Sequence, residues 1–362
     1  MAKPPIKKVV GVNILLFALL LGGLEAGLAR VYNHTQSPGP LAAARYYYSH
    51  EQATIIQYNL ETAQYDPHTT YIFRPGAHRF RNHEFDTTVT INSAGVRDDE
   101  ASLQAPSIIV LGDSHAMGWG VEDHESFPTL LENQLGTRVL NTGVSSYGTV
   151  RELILLERLD RSKLEWLIIQ YCTNDFMENR HFMKGGSKFG IMNEQQYLAT
   201  ARNHMESRAS RPHFEYTRSF LPMLKHTDDF LPPRDSENVA TREVVAFLNA
   251  LQKSRTDLSG LRIVVMPIDN NGANNPLFLD ALYQGLNQPG VLDGWAKELE
   301  FTLVNLHDTL TLEDDYFRLD DHMTPSGHVK VANRLNKVLT QARRRRPGTV
   351  RFWSEADQSN TL

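Results

Sequence analysis

The sequence predicts an α/β layer fold, a flavodoxin-like three-layer α/β/α sandwich around a five-stranded parallel sheet. From Pro106 onward, apolar strand-like runs alternate with segments of helical periodicity. Five such runs alternating with helices favour a parallel sheet covered on both faces, with its ligand edge at the carboxyl ends of the strands. The 362 residues, 41% of them hydrophobic, suffice for one large core with appendages or at most two domains.

Taken from the amino terminus, Lys3, Lys7 and Lys8 precede the uncharged run VVGVNILLFALLLGGL. Past Glu25, AGLA extends it to roughly the 20 residues that a membrane helix needs. Residues 1–30 are therefore expected to be a signal anchor or signal peptide with its basic end in the cytoplasm. An uncleaved anchor implies a single-pass membrane protein with the remainder outside the cytoplasm; cleavage implies secretion. Residues 31–104 form an extension, with YNHTQSPGP as a linker and alternating stretches such as HEFDTTVTIN predicting short strands.

In the main domain, residues 105–342, strands are expected at 107–111, 138–140, 164–171, 261–266 and 301–306. Helices are expected at 126–135, 149–159, 236–253 and 276–286, and a last one with Ser326 as its N-cap. Residues 176–235 are too long for a single crossover and show little periodicity, as lids, binding loops and surface insertions do. Residues 343–362 form a tail that opens on the basic run Arg343–Arg346.

The formal net charge of −5 carries no general nucleic-acid footprint. The single cysteine, Cys172, excludes an intramolecular disulfide and a cysteine-rich zinc site. His322 and His328 are six apart, unlike the paired ligands of a zinc helix, so no metal and no cofactor is expected. Glu313, Asp314 and Asp315 read as a solvated acidic loop. The QARRRRP run fits a solvated helix end or a site for anionic lipid or glycan.

Four pieces carry chemistry. The first strand runs into Gly112-Asp113-Ser114, where a parallel sheet offers its ligand site and a helix start aims amides at a developing oxyanion. His115 cannot serve as the base for its neighbour, because adjacent side chains diverge. After the second strand comes Gly143, whose amide can face the same crevice. After the third comes Asn174, a carboxamide donor. Each also has a plain reading, as turn residues or as a helix cap. The fourth piece is FRLDDHMTPSGH, where His322 follows two carboxylates. An acid one or two residues before a histidine can fix its tautomer and stabilise the imidazolium.

In the order GDS, Gly, N-D and D-x-H, these blocks resemble the SGNH, or GDSL-type, serine hydrolase superfamily over about residues 105–342. INSAGVRDDE and GVEDHESFPTLLENQL also resemble a membrane-anchored bacterial branch associated with surface polysaccharide. The resemblance implies Ser114 as nucleophile, His322 as base, and the Ser114 amide, the Gly143 amide and the Asn174 side chain as the oxyanion hole. Two departures stand out. Cys172 occupies a place that commonly holds glycine, and Leu319 sits where many members carry the triad acid, so that Asp320 is the choice for the acid and Asp321 the reserve.

The expected activity is a serine esterase removing acetyl or other short acyl groups from a carbohydrate ester. If a sugar hydroxyl replaces water as the acceptor, the same residues make an O-acetyltransferase, and the GDSH form of the first block also occurs in glycan acyltransferases. A third reading is a non-catalytic glycan-binding subunit of a polysaccharide export complex. The partners implied are an acylated carbohydrate or other small ester, the membrane, and polysaccharide biosynthesis proteins.

Overall fold

A computed structural model describes residues 6–34, 55–82, 84–209, 214, 216–218, 237–269, 276–341 and 347–353. The basic run Arg343–Arg346 and much of the linker lie outside these residues. The chain divides into two units.

The smaller unit contains the helix Ile6–His34, the described residues between 206 and 218, and residues 318–320. Within this helix, Val9–Val31 is long and apolar enough to cross a membrane, with a mean hydropathy of 2.1 over an 18-residue window. One carboxylate interrupts it. Glu25 accepts hydrogen bonds from the Tyr216 and Thr217 amides, both at 2.9 Å, and from the Thr217 hydroxyl at 2.7 Å. Its charge is thus met by donors from another part of the chain, as an acid within an apolar helix requires.

The larger unit begins with two antiparallel hairpins, β1 (Ala63–Asp66) with β2 (Thr70–Phe73) and β3 (Gly76–Arg81) with β4 (Asp86–Ile91). These are the short strands expected of the extension. In β4 the alternation of buried Thr87, Val89 and Ile91 with exposed neighbours is that of a strand with one covered face.

The central sheet is parallel throughout. Its strands are β5 (Ile108–Leu111), β6 (Val139–Asn141), β7 (Trp166–Tyr171), β8 (Arg262–Pro267), β9 (Glu300–Val304) and β10 (Thr349–Trp353), in the order β10-β9-β8-β7-β5-β6. Five lie where the sequence places them. The sixth, β10, falls in the segment read as a basic tail. TVRFW is a short edge strand with only Trp353 fully buried, so it lacks the continuous apolar run that marks its neighbours.

Alternate residues of the strands feed two cores. Ile109, Leu111, Leu167, Ile169, Ile263 and Val265 pack on one face with the helices Thr149–Leu156, Glu237–Lys253 and Pro276–Leu286. Ile108, Val110, Ile168, Val264 and Met266 pack on the other with Phe127–Leu135 and Pro325–Gln341. These are the three expected layers.

Two local expectations change. The insertion is more regular than its pattern shows, with helices at Asp175–Lys184 and Glu194–Ala209. In the second, Tyr197 and Ala201 are the fully buried apolar residues, too narrow a stripe to read as a periodic face. The last helix starts at Pro325 rather than after a Ser326 cap. Ser326 lies in its first turn and donates to Asp315 at 2.9 Å.

Candidate active site

The chain passes from β5 to its neighbour β6 on one side and then crosses back to β7 on the other side of β5, so the crevice of the sheet opens at the carboxyl end of β5. There Leu111 gives way to Gly112, Asp113 and the four-residue helix Ser114–Met117, with Asp113 as N-cap. Its carboxylate Oδ1 accepts from the His115 amide at 2.9 Å. As the first helical residue, Ser114 has no intrahelical acceptor for its own amide. Gly112 has φ +158, and a Cβ there would come 2.6 Å from the Ala116 methyl. A Cβ at Gly143 would come 2.6 Å from Met117 Cα and 2.7 Å from the Ala116 carbonyl carbon. Both glycines therefore let the backbone close around the serine turn.

His322 Nε2 lies 2.7 Å from Ser114 Oγ, 208 residues apart in sequence. The His322 side chain retains 16% exposure, so the pair faces the crevice rather than the core. His322 sits at the end of a hairpin, with the Phe317 amide donating to the His322 carbonyl at 2.9 Å and Tyr316 bridging Met323. His115 is buried, with its ring centroid 4.7 Å from that of His322. The contact with Ser114 thus belongs to His322.

The two candidate acids differ in setting. Asp320 is buried at 3% exposure. Asp321 is 32% exposed, and its Oδ1 stands 3.6 Å from His322 Nδ1, beyond hydrogen-bond distance.

Besides the Ser114 amide, the other two expected oxyanion donors each already have an acceptor. Asn174 does not cap the helix that follows it; its Nδ2 donates to Asp113 Oδ2 at 3.1 Å, which leaves its second amide proton for another acceptor. The Gly143 amide donates to Asn141 Oδ1 at 3.0 Å. That proton is shared or released if an oxyanion is to receive it.

The sequence reading missed the residues that fix this turn. Gln170, the polar residue in the apolar run WLIIQY, accepts from the Asp113 and Ala116 amides at 3.1 and 3.2 Å and donates to the Ile268 carbonyl at 3.2 Å. Arg97 is buried and donates to the Met117 carbonyl at 2.9 Å and the Val121 carbonyl at 2.7 Å, and it pairs with Asp123 at 3.0 Å. Asp98 accepts from the Asn141 amide at 2.9 Å, and burial lifts its pKa to about 6. A lone polar residue in a buried strand was the available signal for Gln170. For Arg97 and Asp98 it was the charged run at the end of INSAGVRDDE. Trp119 packs tilted against Phe80 and edge-on against Phe85 of the β3–β4 hairpin, at centroid distances of 5.0 and 5.4 Å, and its ring lies 6.5 Å from that of His322. Trp119, backed by the two rings of the hairpin, thus forms an aromatic wall beside the base.

Other candidates settle into structural places. Cys172 is buried, and burial followed by the Asp113 charge pushes its thiol up, which leaves it a poor nucleophile. His328 lies in the first turn of the last helix, where its Nδ1 accepts from the Phe127 amide at 3.2 Å and burial holds its pKa well below the ordinary value. Asp315 is not solvated as the acidic loop reading expected. It is buried, pairs with Lys330 at 2.6 Å and accepts from Ser326 and Thr311, because it anchors the hairpin that carries His322.

A serine and a histidine in contact at the switch point of a doubly wound sheet are the arrangement in which hydrolases activate a hydroxyl. The family model for the GDSL-like Lipase/Acylhydrolase family matches residues 110–330, and the chain belongs to that family of the SGNH superfamily, whose members cleave esters. No curated protein matches the chain. Similar solved structures include one described as a GDSL-like lipase from Bacteroides ovatus, at 14% identity and TM-score 0.35, covering 65% of this chain and 53% of that one. The chain therefore spans about half of that protein's length. Another, described as a lipolytic protein of the G-D-S-L family from Desulfitobacterium hafniense, matches at 13% identity and TM-score 0.31 over 64% of this chain and 98% of that one.

Proposed function

We propose that this hydrolase removes acetyl or other short acyl groups from a carbohydrate ester by an acyl-enzyme mechanism. The contact of 2.7 Å between Ser114 Oγ and His322 Nε2 carries the reading. His322 takes the proton of Ser114 as the hydroxyl attacks the ester carbonyl, and it returns that proton to the departing sugar oxygen. Asp320, withdrawn from water and two residues before the histidine, holds the ring tautomer and offsets the imidazolium charge. The Ser114 amide, the free amide proton of Asn174 and the Gly143 amide receive the oxyanion, with Gly143 turning from Asn141 as charge develops. Water attacking the acyl-enzyme completes hydrolysis.

The apolar helix supports a place on a bacterial inner membrane with the catalytic domain outside the cytoplasm. The full-length protein in detergent, given a chromogenic acetyl ester, is expected to release product and to be labelled by a fluorophosphonate. Ser114→Ala is expected to abolish both, a loss of about 10⁴-fold or more in rate. Release that persists in Ser114→Ala would remove the serine from the mechanism. Acetylated oligosaccharide in place of free acetate, detected by mass, would move the assignment to acyl transfer.

A further inference from the structure

Behind the serine turn, the helices Thr149–Leu156 and Asp175–Lys184 enclose a set of buried oxygens. The Thr149 hydroxyl donates to Asp175 Oδ2 at 2.8 Å and accepts from Asn179 Nδ2 at 3.1 Å. Glu152 lies one turn beyond Thr149 on the same helical face and is 0% exposed. Both Glu152 carboxyl oxygens, Asp175 Oδ1 and Asn179 Oδ1 are buried with no hydrogen-bond donor among the described residues. Arg151, the cation on the same helix, is committed to Glu178 at 2.5 Å.

Acceptors cannot satisfy one another, so something must stand among them. A hard divalent cation takes six or more oxygens and commonly keeps waters, whereas these three side chains offer four unpartnered oxygen atoms, all buried. A proton needs no further ligands. Asp175 opens its helix, where exposed amides favour an anion, and it already accepts from Thr149, so the proton falls to Glu152.

We propose that Glu152 is held as a neutral carboxylic acid whose one proton is shared within this group of oxygens, fastening the start of the helix that follows Asn174. Glu152 is then a positioning residue for that carboxamide. The role of Asn174 rests on the esterase reading, but the protonation of Glu152 does not.

The surrounding charges agree. Burial pushes the Glu152 carboxyl well up, and Asp113 from the serine turn adds to this, followed by Glu178, with Arg151 opposing. Burial also raises Asp175, followed by the charges of Glu152 and Asp113. Glu243, from the helix Glu237–Lys253 that packs on both, acts on Tyr171. An acid whose folded pKa is raised takes up a proton on folding. Its stabilisation is present below the ordinary carboxyl range and is lost as pH rises toward the folded value.

Glutamine fixes the neutral, hydrogen-donating state. Thermal unfolding of the full-length wild type, Glu152→Gln and Glu152→Ala would be followed from about pH 5 to about pH 9, with wild-type metal content read by mass spectrometry. Glu152→Gln is expected to unfold at or above the wild-type temperature, with a margin that widens as pH rises, and Glu152→Ala below both. On an acetyl ester, Glu152→Gln should stay within about twofold of wild-type kcat and hold its rate further into alkali. A Glu152→Gln protein as unstable as Glu152→Ala, with a deficit independent of pH, would overturn the proposal. So would a stoichiometric metal ion present in the wild type and lost from Glu152→Gln. Unfolding is read whether or not any ester is cleaved, so failure of the esterase reading is recognised separately.

Discussion

The turn that carries Ser114 and the hairpin that carries His322 meet at 2.7 Å but are placed by different means. The serine turn is set by close backbone packing, with Gly143 against Met117 and Ala116, by the uncharged Gln170, and by the buried Arg97, which holds the Met117 carbonyl. The hairpin is anchored through Asp315, whose carboxylate gathers Lys330, Ser326 and Thr311. Steric placement is insensitive to pH and intolerant of added volume. Electrostatic placement tolerates volume but follows protonation.

Changing the acid beside His322 should produce the largest effect on this comparison. Asp320→Asn is expected to lower kcat by about 10⁴-fold, whereas Asp321→Asn should stay within about threefold. Steady-state kinetics on one acetyl ester decides, and equal losses would break the assignment of Asp320. On the serine side, Gly143→Ala forces a methyl into the backbone of the Ser114 helix. A kcat loss of about 10² to 10³-fold is expected, together with a lower unfolding temperature and no dependence of the loss on pH.

Gln170→Leu keeps the volume but removes the acceptor for two buried amides, so a destabilisation of about 2–4 kcal/mol is expected in denaturant unfolding. Asp315→Asn should have the smallest effect on rate, below about tenfold at neutral pH. Burial raises the Asp315 carboxyl, but the bond from Lys330 and those from Thr311 and Ser326 outweigh it and hold the group below its ordinary value. Its stabilisation is therefore present above the ordinary carboxylate range and lost as pH falls through the lowered value. Unfolding curves for wild type and Asp315→Asn should diverge at neutral pH and converge in acid. A gap unchanged across that range would mean that Asp315 does not anchor the hairpin as an anion.

Much of this was legible in the sequence. Five apolar runs marked five strands because both faces of a parallel sheet are covered; Ser114 followed from the end of the first run, and His322 from the carboxylates before it together with the order of the four blocks. β10 was not legible, because an edge strand with a single buried residue leaves almost no pattern. The anchoring role of Asp315 was hidden for another reason. A carboxylate in EDD looks solvated until tertiary structure brings Lys330 to it, 15 residues on. Gln170 and Arg97 act through backbone groups, and a sequence does not show which amides or carbonyls will lack partners.

Arg97, Phe80 and Phe85 have a further consequence. All three precede residue 110, where the family match begins, and β10 follows residue 330, where it ends. The stretch shared with relatives is therefore shorter than the stretch that must fold together to make this enzyme. A chain trimmed to residues 110–330 would keep Ser114 and His322 yet lose the guanidinium behind one, the rings that back the aromatic wall beside the other and an edge of the sheet. Grafting that shared stretch into a relative would carry the reaction's atoms without carrying their placement.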